Sequence, residues 1–297
     1  MTWQAQVIGW ANRKLLRRVF AKTALPEPGR KRYARLSRWG SFLPPLSLIQ
    51  PGNAGGVDGL WIQNQPRKEA VLLYFHGGAY VIGSPETHQS MLADLAARSG
   101  LRVFAPRYRL APENPFPASI DDALAAWAGL LEQGHTPDQI ILGGDSAGGG
   151  LALALLARLC ANGQRPAGLV AFSPWTDVSL TGASLVTNAA REQILPAHRM
   201  TEVRALILGG ARPGDANDPR LSPLYANFPG APPVQIHVAE SEILRDDALR
   251  MRNRLPHAEI RLAGDLPHVW PLFRPFLPEA RATLQDTARF IEACLPD

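Results

Sequence analysis

The sequence predicts an α/β fold with a mostly parallel central sheet flanked by helices. Short runs that are apolar throughout, and rich in β-branched and aromatic residues, alternate along the chain with longer stretches of helical pattern. Strands that are apolar on both faces are typical of a parallel sheet covered on both sides. The alternation of such strands with helices therefore indicates the α/β class.

Six strands and five helices are predicted in this alternation. The strands are Ala70–Phe75, Leu101–Pro106, Gln139–Leu142, Leu169–Ser173, Val234–Val238 and Ala258–Leu262. The helices are Thr87–Arg98, Pro117–Glu132, Gly148–Ala161, Asp246–Arg254 and Pro278–Cys294. The chain shows no internal repeat and no low-complexity tract, and 297 residues suit one large domain with a smaller appendage.

Two regions fall outside the alternation. Residues 178–224 follow a strand and contain a helical pattern around Pro196–Leu208. An insertion there would lie above the C-terminal ends of the strands, where ligands bind in open α/β sheets. Residues 1–45 carry apolar side chains at near-helical spacing: Trp3, Val7, Trp10, Leu15 and Val19. We expect the two regions to pack together as a helical cap over a core made of residues 46–177 and 225–297.

The positive charge is concentrated at the N-terminus. The net charge is +5, but residues 1–40 hold ten Lys/Arg and one acid, Glu27, and the rest of the chain has 21 basic and 25 acidic residues. A basic arm can bind acidic lipid or nucleic acid. Charge runs are more often solvated helix faces. We therefore expect the solvated face of a helical lid, no nucleic-acid partner and no stable membrane insertion.

The composition also predicts a cytoplasmic location. The first residues lack a charged start followed by an apolar run and a cleavage site, and no stretch approaches the length that spans a bilayer. The two cysteines, Cys160 and Cys294, are too few for a disulfide framework and are expected to be buried or incidental thiols.

A candidate nucleophile lies in Gly144-Asp145-Ser146-Ala147-Gly148, a G-x-S-x-G sequence. The motif alone is weak, but here it follows the strand Gln139–Leu142 and leads directly into the helix Gly148–Ala161. A sharp strand-to-helix turn exposes the serine hydroxyl and needs small neighbours. It also places the N–H of Ala147 at a helix start, where anions are favoured. Ser146 is therefore the predicted nucleophile.

A candidate oxyanion loop, His76-Gly77-Gly78-Ala79-Tyr80, follows the strand Ala70–Phe75. Acyl transfer places negative charge on the carbonyl oxygen, and backbone N–H groups in a glycine-rich loop can stabilise it. A loop of this kind ahead of a G-x-S-x-G turn is expected in esterases and lipases. The N–H groups of Gly77, Gly78 and Ala147 are the predicted donors, and His76 is expected to hold the loop.

The predicted base is His268. In this type of site the order along the chain is serine, acid, histidine. His268 follows the last predicted strand, where a loop can bring it over Ser146. The other histidines precede the serine (His76, His88, His135), lie in the predicted cap (His198), lie inside an apolar strand (His237) or precede the last strand (His257).

The acid should follow the strand Val234–Val238. The four candidates there are Glu240, Glu242, Asp246 and Asp247. Asp246 and Asp247 have the character of the first turn of a helix, where the helix dipole favours acids. The pattern leaves Glu240 and Glu242 as rivals.

From residue 70 to its C-terminus, the chain resembles the bacterial hormone-sensitive-lipase-like carboxylesterases. The shared motifs are residues 76–80 (HGGAY), 108–118 (YRLAPENPFPA), 144–149 (GDSAGG), 173–177 (SPWTD), 222–224 (SPL), 242–247 (EILRDD) and 267–270 (PHVW). The resemblance implies an α/β-hydrolase core, a helical cap, Glu242 as the acid and, by analogy, a homodimer. Many relatives carry glycine at the position of Ala79 and aspartate at that of Glu242.

These features predict a serine carboxylesterase that cleaves small-molecule esters of short to medium acyl groups with Ser146, His268 and Glu242. The mechanism needs no metal or organic cofactor, and activity should fall below neutral pH as His268 protonates. The alternatives are lactone or amide hydrolysis or acyl transfer to an alcohol on the same triad, a non-catalytic ligand receptor, and a membrane-surface lipase docked by the basic arm.

Overall fold

The computed structural model describes residues 2–22, 26–38, 42–210 and 213–295. Within these residues, eight strands form one sheet in the order β1-β2-β4-β3-β5-β6-β7-β8. The strands are β1 (Leu48–Ala54), β2 (Val57–Gln63), β3 (Val71–Phe75), β4 (Arg102–Pro106), β5 (Ile140–Asp145), β6 (Gly168–Phe172), β7 (Val234–Ala239) and β8 (Glu259–Ala263). Strands β3 to β8 are parallel, and the hairpin of β1 and β2 joins the edge antiparallel to β4.

All six predicted strands are confirmed, and they form the parallel part of the sheet. The β1–β2 hairpin is not among the predicted strands. Strand β1 is largely exposed and contains Pro51 and Gly52, so it lacks the apolar alternation that signals a strand. Proline is tolerated there because β1 is an edge strand.

Helices cover both faces of the sheet. They are α4 (Pro85–Ser99), α5 (Ala118–Glu132), α6 (Ala147–Ala161), α9 (Arg245–Arg250) and α10 (Pro278–Cys294). Alternate residues of β3 separate into two cores: Leu73 and Phe75 pack with residues of α5 and α6, and Leu72 and Tyr74 with residues of α4 and α10. The predicted helices are confirmed, although the one expected over Asp246–Arg254 ends at Arg250 and continues as a 3₁₀ turn.

The N-terminal residues and the 178–224 insertion contact each other above the sheet. The N-terminal helices are α1 (Trp3–Lys14), α2 (Leu16–Lys22) and α3 (Glu27–Arg38), and the insertion contains α7 (Ser184–Thr187) and α8 (Met200–Leu208). The Arg17 guanidinium donates to the carbonyl of Ala189 at 2.6 Å, and that of Arg199 donates to the carbonyl of Phe20 at 2.6 Å. Residues 1, 23–25, 39–41 and 211–212 of the predicted cap lie outside the described residues.

None of the helices in residues 2–22, 26–38, 42–210 and 213–295 is long and apolar enough to cross a bilayer.

Candidate active site

Ser146 occupies the tight turn between β5 and α6. Its φ is +52°, an unusual value for a residue with a side chain, and α6 begins at the next residue. The chain passes very close to itself here: a Cβ at Gly144 would lie 2.3 Å from the carbonyl oxygen of Gly148, and one at Gly148 would lie 2.0 Å from that of Phe75. Both glycines of the motif are therefore required by backbone packing, and the turn presents the Ser146 hydroxyl to a pocket.

Three side chains from distant parts of the chain form a hydrogen-bonded line. His268 Nε2 lies 2.9 Å from Ser146 Oγ, and His268 Nδ1 lies 2.6 Å from Glu242 Oε2. The three residues follow β5, β7 and β8, so the parallel sheet brings them to the same edge. The arrangement can transfer a proton from the serine to the imidazole while the carboxylate fixes the ring orientation.

The structure also distinguishes the four candidate acids. Glu240 is turned towards Arg245, 3.5 Å away, and is half-exposed. Asp246 accepts from the N–H of Ser184, and Asp247 accepts from the N–H groups of Thr176 and Asp177. Among these candidates, Glu242 is the carboxylate in contact with His268.

Ser173, which belongs to the motif at residues 173–177 and has no predicted role, joins the loops that carry Glu242 and His268. Its hydroxyl donates to Glu242 Oε1 at 2.8 Å and accepts from the Val269 N–H at 3.1 Å. The Ala239 N–H donates to the same Glu242 oxygen at 2.7 Å. These bonds leave Glu242 Oε2 for His268 and fix both loops. The available signal was the position of Ser173 directly after β6, at the edge where the other loops meet.

The surroundings of His268 favour its protonated form. Burial alone would lower the pKa of His268, but the hydrogen bond that its ring donates to Glu242 and the nearby negative charges of Glu242, Glu192 and Asp145 raise it above the ordinary value of 6.5. The imidazole is therefore a stronger base than in water, and it loses that role at a higher pH than a free histidine would.

The backbone N–H of Gly77 points away from the pocket. It donates to Asp145 Oδ1 at 3.1 Å and lies 3.3 Å from His88 Nε2. The prediction that Gly77 supplies an oxyanion donor is therefore wrong, because this N–H already has a buried acceptor. Gly78 and Ala79 line the pocket beside Ser146, and the structure gives their N–H groups no acceptor among the described residues.

Asp145, the residue between Gly144 and Ser146 in the G-x-S-x-G motif, holds the loop at residues 76–80 through the Gly77 N–H. Its carboxylate accepts from Tyr74 at 2.9 Å and lies 3.2 Å from His88 Nε2. Burial alone would raise the pKa of Asp145, but these two partners hold it below its ordinary value. His76 stacks on Tyr108, and burial lowers the pKa of His76 to about 3, so this ring is neutral and structural, as predicted.

A buried acid from the insertion lies next to the same machinery. Glu192 Oε1 accepts from the Ile194 N–H at 2.8 Å, and Oε2 accepts from the Ile243 N–H at 3.0 Å. Burial raises the pKa of Glu192 above its ordinary value. This carboxylate ties the pocket wall at Ile194 to the residue that follows Glu242, so the insertion and the acid loop are held together.

A largely apolar pocket of about 440 Å³ opens in front of Ser146. Its wall includes Phe20 and Tyr33 from the N-terminal helices, Leu195 and Met200 from the insertion, and Phe276 from the loop before α10. Within the described residues, no group of three or more His, Cys, Asp or Glu side chains is placed to hold a metal ion.

The chain is similar in sequence to known proteins over most of its length. Residues 72–271 match a family described by the alpha/beta hydrolase fold. An acetyl-hydrolase of Streptomyces hygroscopicus is 36% identical over 272 residues, which cover 89% of this chain and 89% of the relative. An esterase of Acinetobacter venetianus is 36% identical over 252 residues, which cover 83% of this chain and 82% of the relative.

The chain is also similar to solved structures of esterases over almost its whole length. An esterase from the bacterial hormone-sensitive lipase family is 36% identical, with a TM-score of 0.91 over 100% of this chain and 99% of that one. The esterase EstE5, in a crystal soaked with p-nitrophenyl butyrate, is 31% identical, with a TM-score of 0.91 over 99% of each chain. The chain therefore belongs to the α/β-hydrolase family and, within it, to the esterases of the bacterial hormone-sensitive-lipase family.

Proposed function

We propose that this esterase hydrolyses small-molecule carboxylic esters with short to medium acyl groups through an acyl-enzyme at Ser146. The observation that carries the proposal is the buried line from Ser146 through His268 to Glu242, with contacts of 2.9 and 2.6 Å, at the base of an apolar pocket. Such a line activates a serine that would otherwise be a weak nucleophile at neutral pH.

The first half of the reaction forms the acyl-enzyme. His268 Nε2 takes the Ser146 hydroxyl proton as Oγ bonds to the ester carbonyl carbon. Glu242 stabilises the resulting imidazolium and keeps the ring in place. The tetrahedral intermediate then expels the alcohol, whose oxygen receives the proton from His268. Water then hydrolyses the acyl-enzyme in the same way. His268 accepts a proton from the water as its oxygen bonds to the acyl carbon, and it returns the proton to Ser146 Oγ as the carboxylic acid leaves.

The carbonyl oxygen becomes negative in both tetrahedral intermediates. We assign its stabilisation to the N–H groups of Gly78, Ala79 and Ala147. The first two line the pocket, and the third lies in the first turn of α6, where N–H groups have no acceptor within the helix. This assignment replaces Gly77 with Ala79. It makes the alanine in HGGAY a donor through its backbone, so the missing third glycine costs no hydrogen bond.

The expected substrates follow from the pocket. A volume of about 440 Å³ lies within the range of small-molecule sites, and the apolar wall suits an acyl chain better than a charged or sugar-like group. The names of the relatives agree with small esters: one is an acetyl-hydrolase, and another, from Pseudomonas putida, is an ethyl acetate hydrolase.

The test is hydrolysis of p-nitrophenyl esters from acetyl to palmitoyl by the wild type and by Ser146→Ala. We expect the wild type to prefer short and medium chains, and Ser146→Ala to lose at least about a thousandfold in kcat. If the wild type is inactive on the whole series but cleaves lactones or amides, the bond has been assigned wrongly. Binding of esters without turnover would instead indicate a receptor.

A further inference from the structure

Helix α1 leaves three of its large apolar residues exposed on the face opposite its buried residues. Ala5, Gly9 and Asn12 are buried. Trp3, Val7 and Trp10, which we call the apolar stripe, are 70%, 54% and 61% exposed. An amphipathic helix of a globular protein normally buries its large apolar face. An exposed row of this kind marks a surface that binds something else.

The orientation of α1 is fixed by close packing. Ala5 lies in an apolar cluster with Leu266 and Trp270, and a Cβ at Gly9 would lie 2.8 Å from the side-chain oxygen of Gln193. Thr2 donates to the Glu279 carboxylate from its N–H at 2.8 Å and from its hydroxyl at 3.0 Å. There is no room beneath the helix for a tryptophan, so the apolar stripe cannot turn inward.

Cations continue the surface from the end of α1 into α2. Arg13, Lys14, Arg18 and Lys22, which we call the cationic end, are exposed, and none forms an ion pair with another described residue. Residues 1–26 contain no Asp or Glu, whereas the chain beyond residue 40 has more acidic than basic residues. The positive field is therefore local, and it orients the molecule towards a negative surface.

The apolar stripe lies close to the pocket opening. Leu16 and Phe20, on the helix that follows the stripe, line the pocket. At the other end of α1, Thr2 bonds to Glu279, three residues after Phe276. Phe276 lines the pocket, is 51% exposed and packs edge-on against Phe42, which is 59% exposed. The pocket wall thus reaches both ends of the helix that carries the apolar stripe.

We propose that α1 and α2 dock this esterase on anionic lipid surfaces. The apolar stripe enters the headgroup region, where tryptophan is favoured, and the cationic end contacts lipid phosphates. The protein lies on the bilayer and does not span it. Docking turns the pocket opening towards esters dissolved in the lipid.

A lipid surface accounts for the patch better than a second copy or a nucleic acid does. Two copies joined through the apolar stripe would cover its apolar side chains but would give the cationic ends no opposite charge, because residues 1–26 contain no Asp or Glu. A nucleic acid would neutralise the cations, but its phosphate backbone offers nothing apolar for Val7. An anionic bilayer supplies both the negative charge and the apolar layer.

The first experiment measures sedimentation of the full-length protein with sucrose-loaded vesicles. One set contains phosphatidylcholine alone, and the other contains about one third phosphatidylglycerol. We expect binding to the anionic vesicles that is about tenfold or more stronger than to the neutral ones. This preference should disappear in about 0.5 M salt, because salt screens the exposed charges. Failure of the wild type to bind anionic vesicles at low salt would overturn the proposal.

Paired variants then test the two halves of the surface. Trp3→Ser with Trp10→Ser, and Lys14→Glu with Arg18→Glu, should each weaken binding to anionic vesicles by about tenfold or more. Matched controls lie at the opposite end of the sheet: Leu48→Ser, which is 45% exposed, and Arg158→Glu with Arg289→Glu, which are exposed cations near the ends of α6 and α10. The controls should bind as the wild type does.

Two further measurements separate docking from folding and from catalysis. Every surface variant and every control variant should hydrolyse dissolved p-nitrophenyl butyrate at the wild-type rate, which shows that the fold is intact. Ser146→Ala should bind vesicles as the wild type does. Vesicle binding therefore tests docking independently of whether the proposed catalysis is correct. If the apolar-stripe variants still bind vesicles, the stripe is not the lipid-binding surface. If the wild type does not bind vesicles but is a dimer that these variants convert to a monomer, the surface binds a second copy of the chain.

Discussion

At the scale of single residues, Ser173 determines how well the acid and the base are aligned. Its hydroxyl is the shared contact of Glu242 and the Val269 N–H, and it is fully buried. Replacing it with alanine removes one hydrogen bond to the acid and leaves a buried N–H without a partner. Since Ser173 does not line the pocket, the loss should appear in kcat and not in KM.

The first prediction is that Ser173→Ala lowers kcat on p-nitrophenyl butyrate by roughly tenfold, which corresponds to about 1.4 kcal/mol. KM should stay within about twofold. The matched control is Ser99→Ala, which removes another buried hydroxyl that donates to a backbone carbonyl far from the pocket. An unchanged kcat in Ser173→Ala would show that Ala239 and the loop backbone position Glu242 without help.

The second prediction concerns pH. In the proposed mechanism His268 must be neutral to act as the base, and its raised pKa keeps it protonated to a higher pH than 6.5. Activity should therefore be lost as the pH falls through this raised pKa, so the acidic limb of kcat/KM should lie above pH 6.5. In Glu242→Gln the negative charge is gone, so the limb should move to lower pH while kcat falls by about a hundredfold or more. Full wild-type activity at about pH 5 would contradict the role of His268.

At the scale of elements, α3 is fastened to the core through Arg30. Its guanidinium donates to the carbonyls of Val81 and Ala111 at 2.8 and 2.9 Å and pairs with Glu113 at 2.7 Å. Val81 closes the turn that begins at Gly78, so the same side chain supports both the cap and the oxyanion loop. Tyr33, on the same helix, lines the pocket.

The third prediction is that Arg30→Ala loosens α3 and raises KM for medium-chain esters. The pair is partly exposed, so a change of roughly fivefold, or about 1 kcal/mol, is expected. Limited proteolysis should also remove the N-terminal segment faster than in the wild type. Arg35→Ala is the control, because Arg35 is exposed on the same helix. Equal KM and proteolysis rates for the two variants would show that packing alone holds α3.

Elements also show which parts of the fold the sequence could predict. The runs at Val71–Phe75 and Ile140–Leu142 are fully buried, and strands covered on both faces are apolar whatever their neighbours are. Strand β1 could not be predicted in this way, because an exposed edge strand needs no apolar pattern. Its pairing with β2 through the tight turn at Gly55 and Gly56 makes it a strand, and β2 in turn pairs with β4 in the sheet.

At the scale of the whole molecule, three separate parts of the chain build the pocket: the N-terminal helices, the core and the insertion. Leu195 belongs to the insertion wall and is held through its backbone N–H by Glu192 at 3.3 Å. Because the wall is assembled from distant segments, the acyl preference is a property of the assembled molecule.

The fourth prediction is that Leu195→Trp narrows the pocket and shifts the preferred p-nitrophenyl ester to shorter chains. The ratio of kcat/KM for octanoate to that for acetate should fall by about tenfold, because the larger side chain excludes a few methylene groups of the longer acyl chain from the pocket. Leu195→Ala should move the preference the other way. Val186→Trp is the control, because Val186 is 81% exposed outside the pocket. If the ratio is unchanged in Leu195→Trp, the acyl chain lies along another wall.

The sequence by itself determined the order of the buried strands and helices, the turn at Ser146 and the choice of His268. These features depend on local requirements: apolar runs, glycines where the backbone crowds itself, and a loop after the last strand. The tertiary structure decided that the Gly77 N–H belongs to Asp145, that Ser173 joins the two loops, and that the large apolar face of α1 points outward. Each of these depends on contacts between residues that are far apart in the sequence, and a local sequence pattern does not specify such contacts.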